Sequence, residues 1–523
     1  MSHGTGTESA PNAFALEVLR RLPLAEAFHT VWGYVAADPV LDDLFDRHRG
    51  RCYEDRLTFA ELVHVLADAL TRYRGHGRGA ILDAVERNQI SCQVRAVYLK
   101  LSRLPLPLAE AFLTALTQRL RPLFPATARP AALPASLGGL AVVVVDGTKV
   151  KRVAKRLPPT RDQPGKLYGG ELPVAYLPAE GVAVALAADA GGEANDIRSV
   201  PAPLPTVREV VTGPRLWVAD RQFCDPTQPR RFADGGDHFV VRYGHNTGFH
   251  ADGTRAAVDG AGADGRAIRQ EWGWLGAASQ GERRLYVRRV TLARPGSEDV
   301  GVVTDLLDET RYPAADLLAV YLTRWQIESV FQQITEVFHL QRLIGCRPAA
   351  TVFQASLCLV LFNVLQLVRG YIAAGRPEPT AVEDVSAEQV FADLAKDLVG
   401  LHEVLGVEEV VGGVDVPADD GPMRDRLRGL PGGLWSPKWA KVRNTTVRPE
   451  KPPPRKSGGH TSVHKLLQHA KAQPTNPTQP HYLGCEMCAA VRCTRPPQPS
   501  DSSAVGPHGT IGGTRPRRSC GPG

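Results

Sequence analysis

The sequence lacks the segments that usually direct a protein into or across a membrane. Residues 1–14 contain no basic start followed by an apolar stretch, so no signal peptide is expected. The most apolar run, residues 355–372, is interrupted by Asn363, Gln366 and Arg369, which is typical of a buried core helix rather than of a membrane span. We therefore expect a cytoplasmic protein with no membrane partner.

The sequence also has few of the cysteine patterns that staple a fold or hold a metal. Its nine cysteines are mostly scattered over 523 residues, which together with the missing export signal predicts free thiols in a reducing compartment. Cys485 and Cys488, with Cys493 nearby, have a spacing found in zinc sites, but no second pair with this spacing exists. We favour an incidental spacing over a zinc site. No internal repeat is present.

Charge is distributed unevenly along the chain. The formal net charge of +7 is a mild excess that fits a polyanionic partner without requiring one. Residues 441–523 hold 13 Lys and Arg against 3 Asp and Glu, a net charge of +10, so the rest of the chain carries about −3. This segment is also rich in Pro, Gly and Ser, and periodicity is lost from about residue 412. Residues 412–523 are therefore predicted to form a basic, disordered tail.

The chain is too long for one ordinary core, so several domains are expected. Apolar side chains recur at spacings of three and four in segments such as Phe59–Leu66, which predicts helices over residues 14–125. Prolines and alanines after Pro125 then indicate a linker. We predict a flexible start over residues 1–13, a helical N-terminal domain over 14–135, an α/β domain over 136–345 and a helical C-terminal region over 346–411.

Two short apolar runs in the α/β segment end in an acid. Leu140–Asp146 is continuously apolar before its last residue, as expected for a buried strand of a parallel sheet, and Leu216–Asp220 is a second strand that ends in an acid. The remaining predicted elements are strands at Pro173–Leu177 and Val182–Ala188 joined by a turn at Gly181, a short helix at Pro205–Val211, strand-like residues 221–305, and helices over residues 313–343, 352–371 and 387–404.

Asp146 and Asp220 at the strand ends and Glu328 in the helical region are candidate metal ligands. Acids that end parallel strands project from one edge of the sheet, where open α/β folds bind ligands. Carboxylates that converge there repel one another unless a cation joins them, and Mg²⁺ prefers carboxylate oxygens. Two such ions can flank a phosphodiester and assist the attacking and leaving oxygens. Each acid alone is more often a turn residue, a helix cap or part of a solvated helix face.

A helical projection places Tyr321, Arg324 and Glu328 on one side of a single helix. At ~100° per residue, these three and Thr335 fall within roughly 60° of one another. The adjacent stripe is apolar and consists of Ile327, Val330, Phe331, Ile334 and Phe338. A Tyr hydroxyl and an Arg fork beside a metal-binding carboxylate suit DNA phosphates. The alternative is a surface ion pair between Arg324 and Glu328.

Three motifs occur in a characteristic order: Asp146-Gly-Thr, Ala219-Asp-Arg-Gln-Phe, and Tyr321-x2-Arg324-x3-Glu328. Together they resemble the insertion-sequence-four family of bacterial transposases over about residues 10–370. The resemblance implies a DNA transposase that cuts and joins DNA at the ends of its own insertion sequence. It also implies an α/β fold with an RNase H-like mixed sheet core and a β-rich insertion at about residues 221–305.

The resemblance further implies roles for individual residues. Asp146, Asp220 and Glu328 would be the catalytic acids that hold two Mg²⁺ or Mn²⁺ ions, and Tyr321 and Arg324 would bind DNA near the cleaved end. The family usually has Lys at the position of Thr335, so the corresponding phosphate contact is expected from elsewhere, for which Arg342 is the candidate.

Basic residues follow the first acid directly, at Lys149, Lys151, Arg152, Lys155 and Arg156. They either grip DNA phosphates beside the active site or form a solvated loop, and the sequence favours neither. The N-terminal helices would recognise the terminal inverted repeats of double-stranded DNA. A homodimer is expected because two ends must be paired before cutting, and the target DNA is a further partner at the nucleoid.

Three alternatives stay open at this point. One is a catalytically impaired DNA-binding relative, suggested by Thr335 and the unusual tail. Another is an RNase H-like nuclease that hydrolyses DNA without strand transfer. The third is a helical scaffold protein, which gives no reason for acids at the ends of two strands.

Overall fold

The computed structural model describes residues 13–126, 133–149, 167–168, 171–187, 202–244, 246–262, 264–277, 279, 281, 284–296, 298–342, 344, 348–378, 380–406, 410, 414–441 and 461–462. The helices are α1 (Ala13–Arg21), α2 (Pro23–Val35), α3 (Asp38–His48), α4 (Phe59–Leu70), α5 (Gly77–Glu86), α6 (Val94–Leu101), α7 (Leu106–Leu120), α8 (Pro203–Val210), α9 (Thr227–Ala233), α10 (Ala314–Leu322), α11 (Trp325–Glu336), α12 (Pro348–Ala374), α13 (Ala387–Val404) and α14 (Asp420–Gly429). The strands are β1 (Ala141–Lys149), β2 (Leu167–Tyr168), β3 (Glu171–Leu177), β4 (Val182–Leu186), β5 (Arg215–Ala219), β6 (His238–Arg242), β7 (Phe249–Ala251), β8 (Val258–Ala261), β9 (Ala267–Leu275), β10 (Leu285–Leu292), β11 (Val300–Thr304) and β12 (Thr461–Ser462).

Ten strands form one mixed sheet with the order β4–β3–β1–β5–β6–β11–β10–β9–β7, and β8 also pairs with β9. β1, β5 and β6 run parallel to one another, and the other neighbours in this sheet are antiparallel. The mixed α/β architecture predicted from the sequence is confirmed, with the four predicted strands of the α/β segment appearing as β1, β3, β4 and β5. The turn between β3 and β4 uses Gly181 at a φ of 76°, which only glycine adopts without strain.

The sheet is buried on both faces because successive side chains of a strand point to opposite sides. Val144 and Val218 lie in the larger core, which also contains α1–α7 and α10–α14. Val145 and Ala219 lie in a smaller core with α8 and α9. The position after Val145 therefore lies on the face of the larger core, which decides where the strand-end acids point.

The predicted domains do not appear as separate cores. The ring of Phe112 in α7 lies 5.2 Å from that of Phe353 in α12, so N-terminal and C-terminal helices pack directly on each other. Both rings belong to the larger core, which also includes Val144 of β1. All described residues belong to one compact unit.

Helix α12 is the central element of the larger core. Its segment Ala349–Ala374 is long and apolar enough to cross a membrane by length and composition, but all of the most apolar window is buried inside the protein. The interpretation of this run as a core helix agrees with that burial. Within the described part of the chain, Cys52, Cys92, Cys224 and Cys358 carry free thiols, as predicted.

The outer edge of β4 is covered by side chains from α7 and α12 rather than by another strand. Asn363 is fully buried, and its Oδ1 accepts from the Ala183 backbone N–H at 3.0 Å while its Nδ2 donates to the Ala183 carbonyl and to Thr117 Oγ1 at 2.8 Å each. The Thr114 hydroxyl donates to the Val184 carbonyl at 3.2 Å. Polar groups of a sheet edge that water would otherwise satisfy are thus paired inside the core.

The chain remains folded beyond residue 412, where the disordered tail was predicted to begin. Met423 and Leu427 of α14 are buried, Tyr34 donates to Asp420 Oδ1 at 2.6 Å, and Arg426 pairs with Glu26. The prediction of disorder is therefore wrong for residues 414–441, because contacts with a remote helix stabilise a segment of low hydrophobicity. Residues 463–523, with Cys485, Cys488 and Cys493, lie outside the described residues.

Two buried histidines make the fold sensitive to acid. His29 in α2 and His402 in α13 have ring centroids 5.3 Å apart, and His29 Nε2 and both ring nitrogens of His402 have no hydrogen-bond partner. Burial lowers the pKa of His29 to about 3 and that of His402 to about 4, and nearby basic groups further disfavour protonation of each ring. Both rings are therefore neutral in the folded protein at neutral pH.

We expect His402 to destabilise the fold as pH falls. Its pKa is lower in the folded than in the unfolded chain, so its stabilising effect is complete above pH 6.5 and declines as pH falls from 6.5 towards 4. Between pH 7 and pH 5 the loss from this ring is about 2 kcal/mol. His402→Leu should therefore flatten the dependence of the free energy of unfolding on pH, measured by urea denaturation. His250→Gln, at an exposed position, is the control, and an unchanged pH dependence in His402→Leu would contradict this account.

Candidate active site

The three parallel strands bring polar residues to one edge of the sheet. Val145 of β1 is in register with Ala219 of β5, and Ala219 is in register with Val241 of β6. The next residue on each strand is Asp146, Asp220 and Arg242, in strands about 4.8 Å apart. All three follow residues of the smaller core, so by alternation their side chains lie on the opposite face, beneath α10 and α11.

Tyr321 and Glu328 reach this edge from two helices rather than one. The sequence predicted a single helix over residues 313–343, but α10 ends at Leu322 and α11 begins at Trp325, with Arg324 at its N-cap. Hydrogen bonds across the junction span three residues instead of four, as from Arg324 N–H to the Tyr321 carbonyl at 3.1 Å. The single helix predicted over residues 313–343 is therefore corrected to two helices joined by a tight turn. The second of these, α11, ends at Glu336.

The three predicted catalytic acids are hydrogen-bonded to two neighbouring side chains, Arg324 and Tyr321. Arg324 donates from Nη1 to Asp146 Oδ2 at 2.7 Å and from Nη2 to Glu328 Oε1 at 3.1 Å. The Asp146 Oδ1 atom accepts from the Gly147 backbone N–H at 2.9 Å. The Tyr321 hydroxyl lies 3.4 Å from Asp220 Oδ1 and donates to it. Residues separated by up to 182 positions in the sequence therefore meet at one edge of the sheet.

Burial makes the two bridging groups electrostatically strong. Arg324 is 4% exposed and Tyr321 is 2% exposed, so both act in a medium that screens charge poorly. Burial alone would lower the pKa of Arg324, but Asp146, Tyr321 and Asp220 together outweigh burial and raise this pKa. Burial raises the pKa of Tyr321, and Asp220 adds to the effect, so the phenol keeps its proton and acts as a donor.

The ion pair between Arg324 and Glu328, which was the simpler interpretation of their spacing, is present in the structure. It differs from an ordinary surface pair because the same guanidinium also binds Asp146. The Arg324 side chain is 5% exposed and that of Glu328 is 44% exposed. Arg324 therefore connects Glu328, which is solvated, to Asp146, which is largely enclosed.

The donor set fits a divalent cation. Asp146, Asp220 and Glu328 supply only oxygen ligands, and against one guanidinium they leave a formal charge of −2 at the edge of the sheet, which favours a hard cation such as Mg²⁺. Among the described residues, no three acidic, His or Cys side chains are already close enough to hold a metal. The guanidinium of Arg324 stands between Asp146 and Glu328, so it must move before these two acids can share an ion.

The residues predicted to bind DNA have different positions. Tyr321 and Arg324 are hydrogen-bonded to the three acids, whereas Arg342 lies on the surface beyond the end of α11. The Thr335 hydroxyl donates to the Phe331 carbonyl at 2.7 Å, so it is bonded to the preceding turn of its own helix. Lys149 belongs to β1, and its side chain is outside the description. Lys151, Arg152, Lys155 and Arg156 also lie outside the described residues.

Comparisons with known proteins bear on this edge of the sheet. Residues 138–364, somewhat less than half of the chain, match the family model of the transposase DDE domain. A protein of Sinorhizobium fredii named "Putative transposase y4zB" is 25% identical over 153 residues, which cover 29% of this chain and 42% of that protein. Both matches support a DDE transposase. All three acids lie within the matched segment.

Arg242 is a residue of this transposase-like edge that sequence reasoning missed. It follows Asp220 across the sheet by register, and its guanidinium lies 3.7 Å from Glu298, which also lies 4.0 Å from Arg221. The run Phe239-Val-Val-Arg242 has the same form as the two acid-ended strands, an apolar strand closed by a charged residue. Searching for charged strand ends of either sign would have found it.

Proposed function

We propose that this protein is a DNA transposase that cuts and joins DNA at the ends of an insertion sequence. The observation that carries the proposal is the convergence of Asp146, Asp220 and Glu328 on Arg324 and Tyr321 within a segment that matches the transposase DDE domain. The mixed sheet with acids at the ends of adjacent parallel strands supports an RNase H-like catalytic core, and β7–β11 would be its β-rich insertion.

The three acids would hold two Mg²⁺ or Mn²⁺ ions. When bound, such ions activate an attacking water or 3′-hydroxyl and stabilise the leaving oxygen of a phosphodiester. The chain itself contributes geometry. Asp146 is fixed by the Gly147 N–H and Asp220 by the Tyr321 hydroxyl, so neither carboxylate has to be ordered when substrate arrives.

Arg324 and Tyr321 would first position the acids and then contact DNA. In the free protein, Arg324 neutralises part of the charge between Asp146 and Glu328, and its Nε has no partner. A phosphate at the edge of the sheet offers the same guanidinium a bidentate acceptor. Moving the fork from carboxylate to phosphate would release both acids for metal binding. Arg242 and Arg221 would contact a neighbouring phosphate of the same strand.

The helices of residues 14–135 would recognise the terminal inverted repeats, and Lys149, Lys151, Arg152 and Arg342 would add phosphate contacts. Two copies of the chain would pair two DNA ends, and the joined product requires a target duplex as a further partner. The protein would act in the cytoplasm, at the nucleoid.

Nicking of DNA tests the proposal directly. The substrate is a duplex carrying the junction between the flanking DNA and the end of the element that contains this gene, with a scrambled duplex as control. We expect strand cleavage that needs Mg²⁺ or Mn²⁺ and prefers the element end. Binding without cleavage would contradict the proposal and favour a catalytically impaired relative.

Strand transfer separates a transposase from a nuclease of the same fold. The reaction supplies pre-cut element ends with a free 3′-hydroxyl and a supercoiled target plasmid. A transposase joins them, and gel mobility reports the joined product. Hydrolysis of the element end without any joined product would support the nuclease instead.

A further inference from the structure

Four basic side chains from two distant segments meet on the surface beyond the end of α11. Arg342 Nη1 donates to the Arg74 carbonyl at 3.1 Å and to His76 Nε2 at 2.5 Å. A Cβ on Gly75, the residue between Arg74 and His76, would lie 2.9 Å from the Cβ of His339 and 3.0 Å from that of Arg342. Burial lowers the pKa of His339, and Arg342, Arg74 and His76 lower it further. We call Arg74, His76, His339 and Arg342 the basic cluster.

The basic cluster is held by strained backbone. Among the described residues, only Arg74, Asn88 and His339 have a positive φ without being glycine, at 47°, 57° and 55°. Arg74 and His339 lie in the turns that follow α4 and α11, and each turn is closed by a backbone bond back to its helix: the Gly75 N–H bonds to the Ala69 carbonyl and the Leu340 N–H to the Ile334 carbonyl. A long side chain there costs about 1–3 kcal/mol, and such strain collects at functional sites.

A helix end alone does not explain these residues. A cation near the last turn of a helix is favourable, but positions within that turn provide the same benefit without a left-handed conformation. The two turns are also pressed together, since a Cβ on Gly75 would lie 2.9 Å from the Cβ of His339. The close approach brings cations together, which by itself is unfavourable.

No acid neutralises the basic cluster in the described part of the chain. Neither Arg74 nor Arg342 forms a salt bridge with any described carboxylate, whereas Arg72 and Arg87 on either side of Arg74 in the sequence both do so. Glu336, the nearest acid along the chain, accepts from Gln332 Nε2 at 2.9 Å instead. Arg74, His76 and Arg342 are exposed, so the cluster is open to a ligand.

We propose that the basic cluster binds a phosphate of the DNA duplex whose scissile bond lies at the acids. The proposal rests on the proposed function and extends the contact expected of Arg342 to a composite site that includes the N-terminal helical segment. Arg guanidinium and His imidazole donors converging without a carboxylate are the chemistry of phosphate recognition.

The distance along α11 suits this assignment. Glu328 and Glu336 are eight residues apart, which is about 12 Å along a helix, and His339 and Arg342 lie beyond that end. DNA advances about 3.4 Å per base pair along its axis. On a duplex that runs along α11, the basic cluster would therefore meet the backbone roughly four base pairs from the acids, and the length of α11 would set this distance.

The salt dependence of DNA binding tests the proposal. The probe is a fluorescein-labelled 30-bp duplex of arbitrary sequence, and binding is followed by anisotropy from low to moderate salt. We expect Arg74→Gln with Arg342→Gln to weaken binding roughly 10- to 100-fold at low salt and to reduce the slope of log K against log salt by about 1, since one phosphate contributes about 0.9. Arg74→Lys with Arg342→Lys should keep most of the slope.

The matched control removes the same two charges elsewhere. Lys396 and Arg428 are exposed, already paired with Asp393 and Asp425, and lie outside the N-terminal helices. Lys396→Gln with Arg428→Gln should therefore leave the slope nearly unchanged. An equal loss of DNA affinity in both Gln variants, or an unchanged slope in the cluster variant, would overturn the proposal for the basic cluster but not the proposed function. A wild-type protein that binds no duplex would overturn the proposed function as well, and circular dichroism identifies a variant that fails to fold.

Discussion

Asp220→Asn is expected to lower metal-dependent nicking of DNA by at least ~10³-fold, which corresponds to about 4 kcal/mol in the barrier. Asn keeps the shape of the side chain and can still accept from the Tyr321 hydroxyl, so the fold should be unaffected. It loses the negative charge that a divalent cation requires at this edge of the sheet. The measurement is the single-turnover rate of cleavage at saturating Mg²⁺, and DNA affinity should change little.

Asp259→Asn provides the matched control, because this acid of β8 is exposed and pairs only weakly with Arg269, at 3.4 Å. It should cut DNA at the wild-type rate. Asp146→Asn and Glu328→Gln should each resemble Asp220→Asn, and combining two substitutions should cost little more than one, since the acids act as a unit. Cleavage retained by any one of the three variants would remove that acid from the proposed site.

Asn363→Leu is expected to reduce the free energy of unfolding by about 3 kcal/mol. Leu is similar in size, but it leaves the Ala183 N–H and the Thr117 hydroxyl in the core without the partner that Asn363 provides. Buried polar groups without partners carry the full cost of losing water. The shift should appear as a lower urea midpoint with an unchanged slope.

Thr114→Val is a milder substitution at the same edge of β4, with which Asn363→Leu can be compared. It removes one side-chain bond to the Val184 carbonyl, so a loss of about 1 kcal/mol is expected. If Asn363→Leu were as stable as the wild type, the edge of β4 would not depend on these side chains. If it aggregated on refolding, the exposed edge would be the direct cause.

The strands that carry the acids were predictable because their pattern is local. A short, Val-rich apolar run such as Val142–Val145 predicts a strand buried on both faces, and the acid that closes it is expected at the rim. The core helix Pro348–Ala374 was predictable for a similar reason, since polar residues such as Asn363 sit within an apolar run. The resemblance in the three motifs then supplied the grouping of acids that no single segment reveals.

The remaining features depend on partners distant in sequence. The junction at Arg324 contains neither Pro nor Gly, and the guanidinium there binds Asp146, 178 residues away. The register that places Arg242 beside Asp220 follows from pairing between β5 and β6, which the sequence of either strand alone does not specify. The basic cluster needs two turns separated by more than 260 residues to touch.

The continuity of the sheet determines how the β-rich segment can move. β11 pairs with β6 through Val303 and Val241, so β7–β11 cannot swing away as a lobe without breaking the ladder next to Arg242. From β5 to β9 there are four strand spacings, roughly 19 Å, or the rise of five to six base pairs. In the proposed complex with DNA, this fixed width would set how far from the acids a contact at β9 lies along the duplex, and removing one strand pair would shift that contact by about three base pairs.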